Sequence, residues 1–258
     1  MSDLCIINGK LKQLSGLSDN HIISGHSIYE VLRIVDGKPA FFNAHINRLI
    51  RSAALTGMQV PNTQKIHDGI ILLIENTEKK VGNIEITVNN LNSWCIKYIP
   101  HSYPSDLQYK NGVTCMFYSA LRENPNAKVK RIKLRESVGD FIKTNNIYEA
   151  IYEQNGDISE GSKSNIFFIR NNQFFTPPAE MVLEGITRQI VIEIIKEAGF
   201  TINEININVK DIVNFEASFL TGTSPGILPI SSIGNQKFDV NNPSLRLAMK
   251  KYEQKLAQ

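Results

Sequence analysis

The order of strand-type and helix-type patterns along the 258 residues constrains the fold more than any other feature of the sequence. Short alternating segments bounded by turn residues predict strands, and apolar residues at helical spacing predict helices between them. The two types are mixed without the strict strand–helix alternation of a doubly wound sheet. This order predicts an α+β fold. At about 150 residues per domain, the length suits one large domain or two modest ones.

Two turn pairs predict hairpins near the start of the chain. They are Asn8-Gly9 and Asp36-Gly37, the second of which joins strands predicted at 28–35 and 38–42. Asn43 is predicted to cap a helix over 44–55. A second helix is predicted over 63–75, and strands over 84–88, 93–99 and 113–119.

The stretch 121–127 is polar, contains Pro125 and has no periodicity, so we predict an interdomain linker there. It divides the chain into a smaller N-terminal α/β domain, 1–120, and a larger C-terminal domain, 128–258. The second domain is predicted to hold helices over 135–145, over 185–199 and from Pro243 onward, after Asn242. Its predicted strands are 149–153, 165–170, 173–176, 217–221 and 227–233.

The composition argues against several functional classes. The net charge of +3 is too small to indicate nucleic acid binding, and no apolar run approaches the roughly 20 residues that span a bilayer. The start of the chain lacks the pattern of a secretory signal. The five histidines show no metal-ligand spacing, so we expect no metal. An odd number of distant cysteines argues against a disulfide framework and favours a reducing cytoplasm: Cys5, Cys95 and Cys115.

The segment Gly222–Gly226 matches G-x-S-x-G, the nucleophile elbow of many hydrolases. Pro225 has no N–H to donate to an oxyanion, and all five histidines precede Ser224 in the chain. Both facts exclude a serine hydrolase of this type. The same turn presents hydroxyls and consecutive amides after a strand, which suits an anion.

A second candidate anion site lies at Glu184–Arg188, where Gly185 opens the clearest helix of the sequence. The first amides of a helix are unpaired and favour an anion, and Thr187 adds a hydroxyl. Taken alone, either segment is better explained by simple capping. With Arg48, which lies on a helix that has a buried face, the two segments begin to suggest a phosphate.

Two further residues carry possible chemistry. Lys128 lies in a basic segment. This segment is either a solvated surface, or it contains a lysine whose neighbours depress its pKa and leave a nucleophilic amine. Glu160 lies in the polar segment 158–162 between apolar strands. It is either a turn residue or a buried carboxylate with a cationic partner.

Eight segments of the sequence are informative when they are taken together, because their order and their spacing form one combined pattern. They are Gly25–Val31, His45–Leu49, Ser52-Ala53, Tyr148–Ala150, Ser159–Phe167, Thr176–Pro178, Leu183–Arg188 and Leu220–Thr223. In this combination, over about residues 4–235, the chain resembles the fold-type IV (class IV) pyridoxal-phosphate enzymes. These include branched-chain and D-amino-acid aminotransferases and aminodeoxychorismate lyase.

The resemblance implies a two-domain fold like that of D-amino-acid aminotransferase, pyridoxal 5'-phosphate as cofactor, and a homodimer whose active sites lie between the domains. Lys128 would form the aldimine, and Glu160, 32 residues later, would pair with the pyridinium nitrogen. Lys130 and Lys133 do not have this family spacing. Tyr29 and Ser224 would contact the substrate. The other cofactor-binding residues would be Arg48, Leu183, Gly185, Ile186, Thr187, Gly222 and Thr223.

Two family features have no match. A tyrosine shortly after the lysine is replaced by Ile132 and Lys133, and no substrate-binding arginine occurs over 86–100. The substrate therefore stays open. The resemblance favours an aminotransferase that uses an aliphatic or branched-chain amino acid and a 2-oxo acid. A 4-amino-4-deoxychorismate lyase that releases pyruvate is the alternative. A non-enzymatic cofactor-binding protein would be favoured by loss of Lys128 or Glu160, and both are present.

Overall fold

A computed structural model describes residues 4–14, 27–120, 127–129 and 132–257. Within these residues the fold is α+β, with six α-helices and two sheets, as the sequence predicts. The helices are α1 (Phe42–Thr56), α2 (Thr63–Thr77), α3 (Asp106–Asn111), α4 (Ile132–Thr144), α5 (Ile186–Glu197) and α6 (Pro243–Leu256). None of these described helices is long and apolar enough to cross a bilayer.

The first sheet has six strands in the described residues, all antiparallel, in the order β2-β1-β6-β5-β3-β4. Helices α1 and α2 cover one of its faces with a core that includes Ile28, Leu32, Ile86, Leu49 and Ile70. The strands are β1 (Leu4–Ile7), β2 (Lys10–Gln13), β3 (Ser27–Val35), β4 (Lys38–Pro39), β5 (Gly82–Asn89) and β6 (Trp94–Ile99).

The second sheet has ten described strands, nine of them in the order β12-β11-β10-β14-β15-β7-β8-β9-β13, with β16 on β15. Helices α5 and α6 pack on each other and on β14 and β15 respectively. The strands are β7 (Val113–Ser119), β8 (Glu149–Gln154), β9 (Asp157–Gly161), β10 (Asn165–Arg170), β11 (Gln173–Thr176), β12 (Ile202–Glu204), β13 (Ile207–Asn208), β14 (Ala217–Gly222), β15 (Gly226–Ile233) and β16 (Gln236–Lys237).

The contacts divide the chain into two compact units. Unit 1 is Met1–Ser102 with Ala127–Lys130, and unit 2 is Tyr103–Asn126 with Arg131–Gln258. These bounds differ from the predicted division at residue 120, because β7 pairs with β8 and β15 of the second sheet. Lys128 belongs to unit 1, since Val129 bridges to Ile28 of β3. The predicted linker, 121–127, lies outside the described residues except for Ala127.

Strong local signals predicted their elements correctly. Asn8 and Gly9 both have positive φ, 49° and 84°, and join β1 to β2 as a hairpin. The Asn242 side chain caps α6, because it accepts hydrogen bonds from the Ser244 and Leu245 amides. Pro243 is the first residue of this helix, a position that proline favours. The stripe of isoleucine and valine in α5 is buried, as its spacing indicates.

Other local predictions were wrong. Helix α1 begins at Phe42, and its N-cap is Phe41, which makes no side-chain cap bond, so Asn43 is not the cap. The strand predicted over 38–42 is limited to β4 for the same reason, because the helix starts earlier. The segment 158–162 is mostly strand, since the Asn155–Gly156 turn folds β9 back on β8. Helix α3 was not predicted, and its capping box, Ser105 with Gln108, is the signal for it.

Candidate active site

Lys128 is fixed by main-chain hydrogen bonds on both sides. Its carbonyl accepts from the Tyr29 N–H at 3.1 Å, and its own N–H donates to the Ser52 hydroxyl oxygen at 3.2 Å. Tyr29 belongs to β3 and Ser52 to α1, so two packed elements of unit 1 hold the lysine. Because both bonds involve the main chain of Lys128, the start of its side chain has a defined position.

The Lys128 ammonium lies over the ring of Tyr29, which the family resemblance predicts to contact the substrate. Its Nζ is 5.2 Å from the centroid of the Tyr29 ring, and Tyr29 is 8% exposed. The negative face of an aromatic ring attracts a cation at this distance. The structure thus brings together two predicted site residues, Lys128 and Tyr29.

Arg48 has a buried carboxylate partner. Its Nε donates to Glu30 Oε1 at 2.7 Å and its Nη2 to Oε2 at 2.8 Å, which is the bidentate geometry of a strong ion pair. Burial by itself raises the pKa of Glu30, but the charges of Arg48 and Lys128 outweigh it and hold the pKa well below its usual range. Glu30 is therefore ionised. Two N–H groups of Arg48 are thus hydrogen-bonded to Glu30. Phosphate binding by Arg48 stays a prediction.

His45 completes this group. Its Nδ1 lies 2.8 Å from Glu30 Oε2, and because Glu30 is ionised, Nδ1 is the donor. Burial lowers the pKa of His45, although its bond to Glu30 partly opposes the shift, so the ring is neutral near pH 7. Glu30 carries one negative charge against the positive charges of Arg48 and Lys128. This group of side chains, which we call the lysine cluster (Lys128, Tyr29, Glu30, His45, Arg48 and Ser52), has a net positive charge.

Unit 2 holds a second group, built around a buried carboxylate. Glu160 is 3% exposed, and its Oε2 accepts from the Leu183 N–H at 3.1 Å and from Asn165 Nδ2 at 3.4 Å. The Asn165 amide also donates to the Leu183 carbonyl at 2.8 Å. Both polar groups of Leu183 are therefore bonded, which fixes this residue beside Glu160.

The first turn of α5 adjoins the same group. Its N-cap, Gly185, makes no side-chain cap bond, and a Cβ there would lie 2.1 Å from Asn165 Oδ1. Only glycine fits at this position without a shift. The next residues, Ile186 and Thr187, are buried. Glu160, Asn165, Leu183 and Gly185 form what we call the carboxylate cluster, which places three predicted site residues in contact through Asn165, to which the sequence analysis gave no role.

The remaining predicted residues lie where β14 ends: Gly222 is the last residue of the strand, and Thr223 and Ser224 lie in the turn to β15. Gly222 follows Thr221, which pairs with Asn165 of the carboxylate cluster in the sheet ladder. The Thr221 hydroxyl is buried and has no hydrogen-bond partner among the described residues. A buried hydroxyl without a partner costs free energy, so this atom indicates a position where a ligand oxygen or nitrogen is accepted.

Glu149 is hydrogen-bonded to the chain segment between two members of the carboxylate cluster, Glu160 and Asn165. Its oxygens accept from the hydroxyls of Ser162 at 2.6 Å and Ser164 at 3.1 Å, and from the amides of Ala150 and Lys163. Burial raises the pKa of this carboxyl, and the serine bonds oppose the shift only in part. Glu149 thus fixes the turn that separates Glu160 from Asn165.

The residues that the sequence analysis missed have a recognisable signal. Glu30 lies between Ile28 and Leu32 on the core side of β3, where a charge requires a buried partner. His45 and Arg48 are three residues apart on α1, so one helix face presents both to that side of the sheet. Within the described residues, no group of three or more histidine, cysteine or acidic side chains could hold a metal.

Comparisons with known proteins identify the family. The class IV amino-transferase family matches residues 27–233. D-alanine aminotransferase of Bacillus licheniformis is 24% identical, over 92% of this chain and 91% of that protein. The structure of a branched-chain aminotransferase from Thermoproteus uzoniensis aligns with a TM-score of 0.87 at 22% identity, over 100% of this chain and 96% of that one.

The PLP-bound structure of a hypothetical aminotransferase from Mycobacterium tuberculosis aligns with a TM-score of 0.85 at 15% identity, over 98% of both chains. These structural likenesses establish the fold. The family match covers well over half of the sequence and includes every predicted site residue. The chain is therefore an enzyme that belongs to the class IV aminotransferases.

Proposed function

We propose that this enzyme is a pyridoxal-phosphate-dependent aminotransferase that moves an amino group between an aliphatic or branched-chain amino acid and a 2-oxo acid. The observation that carries the proposal is the position of Lys128, whose main chain is bonded to Tyr29 and Ser52 and whose ammonium lies over the Tyr29 ring. A reactive lysine needs such a fixed position, because proton transfer depends on geometry.

The described residues fit the cofactor. A phosphate needs donors, and the first-turn amides of α5 at Ile186 and Thr187, together with the buried Thr221 hydroxyl, supply them. A pyridinium nitrogen needs a negative charge, and Glu160 supplies a buried carboxylate. When bound, the cofactor supplies an electron sink for the breaking Cα–H bond.

Each site residue then has a distinct task. Lys128 would hold the cofactor through its side-chain amine, and once the amino group of the substrate has displaced that amine, the free amine would accept the Cα proton as general base. Glu160 keeps a proton on the ring nitrogen by its negative charge. The fixed backbone of Leu183 holds its side chain for packing against the ring, and Gly185 leaves room for the Asn165 side chain to hold Leu183.

We propose that two other parts of the chain contact the substrate. Tyr29 provides a largely apolar ring beside Lys128, which suits an aliphatic side chain. The turn at Gly222, Thr223 and Ser224 offers amides and hydroxyls for the substrate carboxylate. Following the family expectation, we also propose that the enzyme is a homodimer and that it acts in the cytoplasm. Sedimentation tests the homodimer, for which we expect twice the mass of one chain.

A half-reaction screen tests the proposed function. The loaded enzyme is mixed with single L- and D-amino acids, and the absorption of the lysine-bound cofactor is followed over time. We expect at least one aliphatic amino acid to bleach this absorption and to yield the matching 2-oxo acid. Pyruvate release from 4-amino-4-deoxychorismate, without bleaching by any amino acid, would instead identify the lyase.

A further inference from the structure

Tyr109 connects two segments of unit 2 that are far apart in the sequence. It lies in α3, and its hydroxyl donates to the Pro225 carbonyl at 2.9 Å, 116 residues farther along the chain. Pro225 belongs to the three residues between β14 and β15, Thr223–Pro225, which we call the β14–β15 turn. The proposed function places the substrate carboxylate at this turn. The Tyr109 hydroxyl is therefore a direct contact between α3 and a proposed substrate-binding segment.

The β14–β15 turn is short, so its amides depend on the position of Pro225. Gly222 and Gly226 are paired in the sheet ladder on either side of the turn. Gly226 has a φ of 59°, which is typical of the left-handed residue that ends a three-residue hairpin loop. A Cβ on Gly226 would lie 2.8 Å from Tyr252 Cε1, so α6 packs against this end of the turn. Because the proline ring also fixes φ of Pro225, a bond to its carbonyl restricts the two amides before it.

The main chain of Tyr109 is fixed as well. Its N–H donates to the Ser105 carbonyl at 3.0 Å, and its carbonyl accepts from Arg246 Nη1 at 2.8 Å. Arg246 lies on α6, and its Nη2 donates to the Lys110 carbonyl, also at 2.8 Å. A helix of six residues, such as α3, has little stability by itself. The bonds from Arg246 therefore give the Tyr109 hydroxyl a defined position.

We propose that Tyr109 is a positioning residue for the substrate carboxylate, because its hydroxyl holds the Pro225 carbonyl and thereby the amides of the β14–β15 turn. The inference rests on the proposed function, which places the carboxylate at this turn. A turn that already has its bound shape loses less entropy when it binds an anion. Without the hydroxyl, the Pro225 carbonyl is hydrogen-bonded to water and the turn has more conformations. The donors proposed for the cofactor phosphate lie elsewhere, in α5 and at Thr221, so cofactor binding is unchanged.

The test compares an anionic and an uncharged probe with the same carbon chain, 4-methylpentanoate and 4-methylpentan-1-ol. Neither has an amino group, so both bind to the loaded enzyme without reaction, and titration calorimetry gives their dissociation constants. In Tyr109→Phe, which keeps the ring, we expect 4-methylpentanoate to bind about three- to tenfold more weakly than in the wild type. The alcohol should stay within about 1.5-fold of the wild type, because it has no carboxylate for the turn. A purely structural role would weaken both probes or neither.

The matched control is Tyr98→Phe. The Tyr98 hydroxyl also donates to a main-chain carbonyl, that of Lys79 at 2.7 Å, but neither residue belongs to the proposed site. Each variant loses one hydrogen bond of the same kind, so thermal unfolding should show a similar decrease in Tm for both. Tyr98→Phe should bind both probes as the wild type does, and both variants should keep the cofactor during dialysis.

Arg246→Met removes the bonds that hold the end of α3, so it should also weaken 4-methylpentanoate binding, and it decides the question where Tyr109→Phe does not fold. Several results would overturn this assignment. They are no binding of 4-methylpentanoate by the wild type, an unchanged dissociation constant in the variant, equal weakening of both probes, or loss of the cofactor from Tyr109→Phe, which would assign the turn to the phosphate. An enzyme that shows the expected change but transfers no amino group would contradict the proposed function and leave the role of Tyr109 supported.

Discussion

Three of the four buried glutamates among the described residues lie in clearly different environments, and the environment sets what each can do. Glu30 faces two cations, and its pKa is lowered despite burial. Glu149 is surrounded by hydroxyls and amides, and burial raises its pKa. Glu160 is bonded to the Leu183 amide and the Asn165 side chain. Burial of a carboxylate is thus compatible with an ion pair, with a structural role and with a cofactor contact.

The role of Glu160 can be tested by its amide. In Glu160→Gln the bonds from Leu183 and Asn165 can persist, but the negative charge that holds a proton on the ring nitrogen is lost. We expect the half-reaction rate to fall by about three orders of magnitude, or about 4 kcal/mol, while the cofactor stays bound. Stopped-flow absorption measures the rate. The control Asp157→Asn, on the same strand, should react at the wild-type rate, and wild-type kinetics in Glu160→Gln would refute the role.

Helix α5 shows how one element connects sequence to site. Its stripe of apolar residues predicts it, and Gly185 marks its start. The close approach of Gly185 to Asn165 joins residues 20 positions apart, and no local pattern contains that information. Capping and periodicity are local and could be predicted from the sequence. The Glu30–Arg48 pair and the strand β9 depend on pairing with distant segments, so the same patterns did not predict them.

Substitution of Gly185 by alanine tests the packing at this helix start. The added Cβ would lie 2.1 Å from Asn165 Oδ1, so Asn165 must move away from Leu183. We expect a loss of about 1–3 kcal/mol in unfolding free energy and weaker cofactor binding. The matched control is Gly139→Ala in α4, where a Cβ meets nothing within 4 Å. It should be more stable than the wild type by about 0.5–1 kcal/mol. Urea unfolding and cofactor titration measure both, and equal effects would contradict the packing argument.

At the scale of the whole molecule, the chain leaves unit 2 for only four residues, Ala127–Lys130, and these carry the lysine into unit 1. Lys128 is held there by β3 and α1, whereas Glu160 belongs to the second sheet. The predicted boundary at 120 follows from composition alone, which reports where a segment is polar. Val129 forms a long-range bridge with Ile28 of β3, and composition contains no signal for such a pairing.

The ion pair in unit 1 should give the stability a defined pH dependence. Because the folded-state pKa of Glu30 lies below its ordinary value of 4.5, its contribution is complete above that value and is lost as the pH falls toward the folded-state pKa. We expect Glu30→Gln to lose about 3 kcal/mol at pH 7, since Arg48 stays buried without its counter-charge. The difference from the wild type should shrink below pH 4.5.

Urea unfolding at about pH 7, 5 and 3 measures how the difference in unfolding free energy changes with pH. The control Glu75→Gln, on the exposed side of α2, should stay within about 0.5 kcal/mol of the wild type throughout. A constant difference between Glu30→Gln and the wild type across the acid range would contradict the ionised pair.

The attachment of the cofactor to Lys128 is the central claim, and chemical trapping tests it most directly. Borohydride reduction of the loaded enzyme, followed by digestion and mass spectrometry, locates the modified lysine. We expect the adduct on Lys128 alone and none in Lys128→Met. An adduct on Lys130 or Lys133, or one that persists in Lys128→Met, would contradict the account.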